Sequence, residues 1–237
     1  MKKFGLVGGV GYLATLDYYK NINEGFKERL ENPPKSGSNP PMVIESINIA
    51  DAYSLVEQKN WKDFTKLFSD AIHRLYGAGA EFAAIAANTA HIVFDDIQAD
   101  SPIPLIGIVD ETCKRAKEQG VKKMIIFGTD FTMRSGMYEA KCEQFGIEAI
   151  SPNEDDRKII HDIIFPNLES GIVLDHEKEL LLSIAWKMQK EHHADALVLG
   201  CTELPFAIKE RDLDIMLLDT GAIHIDVILD RILEATV

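Results

Sequence analysis

Leu197-Val198-Leu199-Gly200-Cys201-Thr202-Glu203-Leu204-Pro205 is the stretch that decides the fold. An apolar run closes on a Gly, a Cys and a Thr, and a helix-like segment follows. A strand buried on both faces reads as such a run, and open α/β sheets place their ligands at the carboxyl ends of those strands. A second stretch echoes it upstream: Phe82-Ala83-Ala84-Ile85-Ala86-Ala87-Asn88-Thr89-Ala90-His91. There Ala87 stands in the place that Cys201 holds downstream.

Outward from these two stretches, apolar strands alternate with amphipathic helices. Strands are expected at Lys3–Val7, Met42–Ile47, Phe82–Ala86, Leu105–Ile106, Met124–Phe127, Glu148–Ile150, Ala196–Leu199 and Ile215–Leu218. Helical patterns lie near Leu13–Leu30, Trp61–Tyr76, Ile108–Gln119, Ser135–Phe145, Glu154–Leu168, Lys178–Glu191 and Ala222–Leu233. The alternation predicts an α/β fold of two similar domains, each a mostly parallel sheet flanked by helices. The N-terminal domain is expected to comprise residues 1–112 plus 212–237, and the C-terminal domain residues 113–211. Asn32–Pro41, rich in Pro and Gly, is the clear irregular loop, read as a linker or a flap.

A net charge of −13 argues against nucleic acid as a partner, because phosphate binding leans on Lys and Arg. A local site for an anionic small molecule remains open. No apolar run is long enough to span a bilayer, so no membrane partner is expected, and the N-terminus reads as a first strand rather than a signal peptide. The three cysteines, Cys113, Cys142 and Cys201, are irregularly spaced. That spacing suits neither a disulfide framework nor a zinc site, and predicts a reducing cytoplasm and no bound metal.

Cys201 sits at a strand's end, where a helix starting near Thr202, with Thr202 as its N-cap, would favour the thiolate. Cys113 and Cys142 fall within helical patterns and are read as structural. Asn88 and Thr89 suit either a helix start or an anion cradle, and His91 is read as a polar residue of that helix's first turn rather than a proton shuttle. Gly128-Thr129-Asp130-Phe131-Thr132-Met133 is equally a capped turn or an anion site. Gly5 to Gly11 misses the dinucleotide fingerprint, so Gly8 and Gly9 are read as permitting close backbone approach.

Taken in order, Gly8-Gly9, Ala87-Asn88-Thr89-Ala90-His91, Gly128-Thr129 with Thr132-Met133, Gly200-Cys201-Thr202-Glu203 and Asp219-Thr220 resemble the aspartate/glutamate racemase family. They span nearly the whole chain, and the first loop, without an Asp-Ser pair, is most like the aspartate racemase branch. The resemblance implies a racemase without cofactor and with its active site in the cleft between the domains. Two cysteines there face the α-carbon from opposite sides: one thiolate removes the proton and the other thiol returns one. Cys201 matches one of them, and Ala87 stands at the position of the second. Gly8, Asn48, Asn88, Thr89, Thr129, Thr132, Thr202 and Glu203 become candidate substrate-binding residues. The implied substrate is aspartate or glutamate, and a homodimer is expected.

Ala87 has three explanations: an engineered trap, a natural one-cysteine variant, or lost catalysis. The corresponding alternatives to a racemase are a one-cysteine decarboxylase or isomerase of the same superfamily, and a non-catalytic binder of small carboxylates or dicarboxylates. A further departure concerns the substrate's side chain. The family tends to supply an Arg after the second strand and a Lys in the second half. Here Ser46-Ile47-Asn48-Ile49 has no Arg, and the candidate Lys178 comes late. Asn48 offers a hydrogen bond but no charge.

Overall fold

Every strand pairs in parallel with its neighbours in a computed structural model that describes residues 1–30 and 37–234. In the first sheet β1 (Phe4–Gly8), β2 (Met42–Ser46), β3 (Phe82–Ile85) and β4 (Leu105–Ile106) lie in the order β2-β1-β3-β4. In the second β5 (Lys123–Phe127), β6 (Glu148–Ile150), β7 (Ala196–Leu199) and β8 (Met216–Asp219) lie in the order β6-β5-β7-β8. Parallel neighbours need long crossovers, and helices supply them. Around the first sheet these are α1 (Tyr12–Glu28), α2 (Ile49–Glu57), α3 (Trp61–Gly77) and α4 (Phe94–Asp100). They continue with α5 (Ile108–Glu118), α6 (Asp130–Arg134), α7 (Met137–Gln144), α8 (Glu154–Ile164), α9 (Asp175–His192), α10 (Leu204–Ala207) and α11 (Thr220–Leu233).

Two units result: Met1–Ile108 with His224–Val237, and Val109–Ile223. In the first, α1 turns Tyr18, Ile22 and Phe26 inward at four-residue spacing, against Phe4, Leu6 and Phe82 of the sheet. Ile225, Ile228, Leu229 and Ile232 of α11 complete that layer. In the second, Ile125, Phe127, Leu197 and Leu199 pack with Ile160 and Ile164 of α8 and Leu181 and Ala185 of α9. Each such side chain contributes ~1.5–3 kcal/mol when fully buried.

The two sheets carry the same register at their centres. Val7 faces Ile85 and Phe127 faces Leu199. One residue on, the Ala86 N–H donates to the Val7 carbonyl at 2.9 Å and the Gly200 N–H to the Phe127 carbonyl at 2.7 Å. Ala87 and Cys201 therefore occupy equivalent places, two residues past equivalent strands.

The structure corrects the reading of the chain in three places. Residues 212–237 do not return to the first unit as a block: β8 pairs with β7, and the chain crosses back inside α11, at His224. The second strand stops at Ser46, and Asn48 caps the unforeseen α2. Helix α4 is also unforeseen, being one short stretch behind a 3₁₀ turn at Thr89–Val93. The irregular loop at Asn32–Pro41 lies partly outside the described residues.

Candidate active site

Cys201 stands two residues past β7, after Gly200, and is buried, 9% exposed. Its Sγ–H donates to Glu203 Oε2 at 3.0 Å, and the Thr202 hydroxyl donates to the same oxygen at 2.8 Å. Burial pushes the thiol's pKa well above its ordinary value, and the negative charge of Glu203 and its hydrogen bond add to that, with Glu169 contributing less. The expected thiolate is therefore not the resting form; the site holds a protonated thiol on a carboxylate. The reason is local. Thr202 is not an N-cap: α10 begins only at Leu204, is one turn long with Pro205 in its first turn, and has Glu203 as its N-cap. So short a helix brings little dipole to bear on the sulfur.

Glycine is required beneath this end of the sheet. A Cβ on Gly200 would lie 2.7 Å from the Phe127 carbonyl, and one on Gly128 would lie 2.9 Å from Thr132 Cγ2. Thr129 and Thr132 are buried beside them. Thr129 Oγ1 accepts from the Thr132 N–H at 3.3 Å, and the two hydroxyls lie 3.2 Å apart. The segment takes its capped-turn form, with Thr129 as the N-cap of α6.

In the first unit, Gly8 and Gly9 are sewn into the backbone around them. Gly9 has φ 86°, and a Cβ there would lie 2.1 Å from the Ile47 carbonyl. Its N–H donates to Thr15 Oγ1 at 2.9 Å, while the Ile47 N–H donates to the Gly8 carbonyl at 3.0 Å. Asn48 is exposed, and its Oδ1 accepts from the Ala50 N–H at 3.2 Å. Ala87 and Asn88 are buried, 8% and 5% exposed, and Thr89 opens the 3₁₀ turn. His91 lies between the Ala87 carbonyl, 2.9 Å from Nδ1, and the Ile108 N–H, 3.0 Å from Nε2.

The structure thus gathers Cys201, Thr202 and Glu203 into one hydrogen-bonded group in the second unit, with Thr129 and Thr132 bonded to each other. In the first it places Gly8, Ala87, Asn88 and Thr89 at the carboxyl ends of β1 and β3, with Asn48 just past β2. Cys113 on α5 and Cys142 on α7 are buried with their Sγ atoms 2.8 Å apart, and all three cysteines are free of disulfides. Lys178 is held by Asp212 at 2.7 Å. Among the described residues no group of three His, Cys, Asp or Glu side chains gathers as a metal site needs, and no helix is long and apolar enough to cross a membrane. What the sequence left unread was the carboxylate on the thiol. An acid two residues after a strand-end Cys was the available signal.

Known proteins bear on these geometries. The chain is 26% identical to the broad-specificity amino-acid racemase RacX of Bacillus subtilis, over 92% of each chain. Its structure matches that of an aspartate racemase homologue from Pyrococcus horikoshii with a TM-score of 0.85 and 33% identity, over 99% of this chain and all of that one. An Asp/Glu racemase candidate from Yersinia pestis matches with a TM-score of 0.89 and 31% identity over the same shares. The model of the Asp/Glu/hydantoin racemase family matches residues 7–228. With two parallel sheets of identical strand order and a thiol–carboxylate pair at the end of one of them, the chain belongs to the Asp/Glu/hydantoin racemase family.

Proposed function

We propose that the chain moves the α-proton of a small amino acid without a cofactor, with Cys201 as the acid and base on one face of the α-carbon. The observation that carries this is the Cys201–Glu203 contact at 3.0 Å. Glu203 takes the thiol's proton, leaving a thiolate. The thiolate takes the α-proton, and the electron pair passes into the α-carboxylate. Donors at strand ends, among them Asn88, Thr89 and Thr202, offset the charge that develops on the carboxylate oxygens, the kind of stabilisation that dominates such reactions. Gly8 and Gly9 let backbone N–H groups approach, and Thr129 and Thr132 stiffen the turn beside Cys201. Aspartate and glutamate are the first substrates to assay.

A two-base racemase needs a second thiol, at position 87. With Ala87 there, the proton returns on the face it left. The expected activity is α-proton exchange that favours one enantiomer, with slow racemisation. A second reading, a one-cysteine decarboxylase, also follows from Ala87 standing in the place equivalent to Cys201. Incubating the protein with L- and D-amino acids in D₂O and following the α-proton by NMR separates the readings. Faster exchange of one enantiomer supports the proposal. Carbon dioxide release from a substituted malonate without amino-acid exchange supports the decarboxylase. Binding with neither leaves a carboxylate binder.

A further inference from the structure

Two buried imidazoles of the first unit each bridge groups from separate elements, and the partners fix their protons. A peptide N–H can only donate. Since the Ile108 N–H points at His91 Nε2, 3.0 Å away, that nitrogen is bare. The ring's one proton is then on Nδ1 and goes to the Ala87 carbonyl at 2.9 Å. His224 is the opposite tautomer. Its Nε2 lies 2.9 Å from the Ile106 carbonyl, which can only accept, so Nε2 carries the proton. Its Nδ1 then accepts from the Tyr18 hydroxyl at 2.8 Å. The His91 ring stacks on Phe94, centroids 4.7 Å apart and planes 15° from parallel, and meets His224 edge-on at 6.4 Å.

The 3₁₀ turn makes room for the first of these bonds. In an α-helix the His91 N–H would reach the Ala87 carbonyl, four residues back. In this turn it goes to the Asn88 carbonyl at 2.9 Å, and the side chain of His91 takes Ala87 in its place. The bonds do not form a proton path. The Ile106 carbonyl and the Ile108 N–H belong to two different peptide groups, with Gly107 between them. The array holds backbone in place rather than conducting protons.

We propose that His91 is a positioning residue: a neutral strut from the Ile108 N–H to the Ala87 carbonyl that fixes where side chain 87 and the groups of Asn88 and Thr89 point, with His224 anchoring the Ile106–Ile108 segment behind it. The aim at a substrate rests on the function proposed above; the strut itself does not. His91→Gln retains one acceptor and one donor, whereas His91→Phe retains the ring stack and neither bond. Misplacing groups by about 1 Å can cost ~10²-fold. His91→Phe is therefore expected to slow α-proton exchange by roughly 10–10²-fold, and His91→Gln to stay close to the parent. A second readout needs no substrate: in the Ala87→Cys background, iodoacetamide labelling of the introduced thiol should change rate with His91→Phe and not with His91→Gln.

Labelling unmoved by His91→Phe overturns the proposal whether or not the protein turns over an amino acid. Loss of exchange in His91→Gln as deep as in His91→Phe, with both folded, also overturns it, because that outcome marks a proton-transfer role. Should His91→Phe fail to fold, the ¹⁵N spectrum of the parent's imidazoles decides. A bare Nε2 and a protonated Nδ1 on His91 support the strut, and the reverse tautomer overturns it. Absence of exchange in every variant, with the labelling pattern intact, would retire the proposed function and leave the strut standing.

Discussion

The ends of β3 and β7 share one backbone plan and carry opposite chemistry. Each central strand stops in the same register against its neighbour, and each passes one more N–H to that neighbour before the chain turns. After β7 stand a thiol, a hydroxyl and a carboxylate in direct hydrogen-bond contact. After β3 stand a methyl group, an amide and a hydroxyl, backed by an imidazole whose two nitrogens are committed to the backbone. The difference teaches that one backbone plan can present a proton-carrying group at one strand end and only a methyl group at the equivalent place of the other. On the function proposed above, the second unit would supply the proton-carrying group and the first would bind and orient. Each way of making the two ends alike, or less alike, therefore has a predictable consequence.

The largest expected effect comes from making them alike. Ala87→Cys puts a thiol at the place equivalent to Cys201, and racemisation in both directions should rise by ~10²–10⁴-fold, the range for a general acid or base. Circular dichroism at a fixed wavelength, starting from each enantiomer in turn, measures it. A folded variant that still fails to racemise aspartate, glutamate or neutral amino acids would sink the two-base reading.

The next effect comes from stripping the β7 end of its carboxylate. Glu203→Gln removes the proton acceptor, so α-proton exchange should fall by ~10²-fold or more. The same change removes a charge that holds the thiol's pKa up. Alkylation of Cys201 by iodoacetamide, which needs the thiolate, should therefore become faster while exchange becomes slower. Peptide mapping after labelling reads the first and NMR in D₂O the second. Both rates staying at the parent's values would show that Glu203 does not act on the sulfur.

Much of this architecture was legible in the sequence, because buried parallel strands write themselves as apolar runs. All eight strands of the described residues lie within a residue of their expected places, Phe4–Gly8 against the expected Lys3–Val7 and Ala196–Leu199 as expected. The equivalence of Ala87 and Cys201 was legible for the same reason: both follow a central strand at the same offset. The short elements were not. α10 is one turn, and its late start moved the cap from Thr202 to Glu203 and removed the expected dipole from the thiol. α2 was hidden because Asn48-Ile49 reads as a strand's continuation until its side chain is seen to cap a helix. The sorting of β8 from α11 was hidden too. An apolar strand does not say which sheet it joins, and β8 pairs with β7 while the helix after it serves the other core.

A third effect probes the imidazole pair, which backs the β3 end. Burial, with the neighbouring His91, pushes the pKa of His224 down to about 3 from an ordinary 6.5. Below pH 6.5 the unfolded chain takes up a proton there and the folded one does not. The contribution is thus fully present above pH 6.5 and is lost as pH falls toward 3. Between pH 7 and pH 5 the loss is about 2 kcal/mol, or roughly 4–8 °C in Tm for a chain of this size. His224→Gln retains a donor and an acceptor without the titration, so its Tm should fall less steeply over that range. Calorimetry of both proteins at matched ionic strength makes the comparison, and equal slopes would assign the acid sensitivity elsewhere.

The smallest effect tests whether the β2 end belongs to the site at all. Asn48 is exposed, and its Oδ1 accepts the Ala50 N–H at 3.2 Å as the N-cap of α2. Losing such a cap costs about 1 kcal/mol, so Asn48→Ala should lower stability by that amount. Asp caps as well as Asn does, and its charge is favoured at a helix N-terminus, so Asn48→Asp should be at least as stable as the parent. The pair also reads function, because a carboxylate at position 48 would repel a substrate's carboxylate within reach. If the residue serves the helix alone, the apparent KM for aspartate and for a neutral amino acid should be alike in the parent, Asn48→Ala and Asn48→Asp. A KM for aspartate that rises in Asn48→Asp while that for the neutral amino acid holds would place Asn48 beside the substrate's side chain.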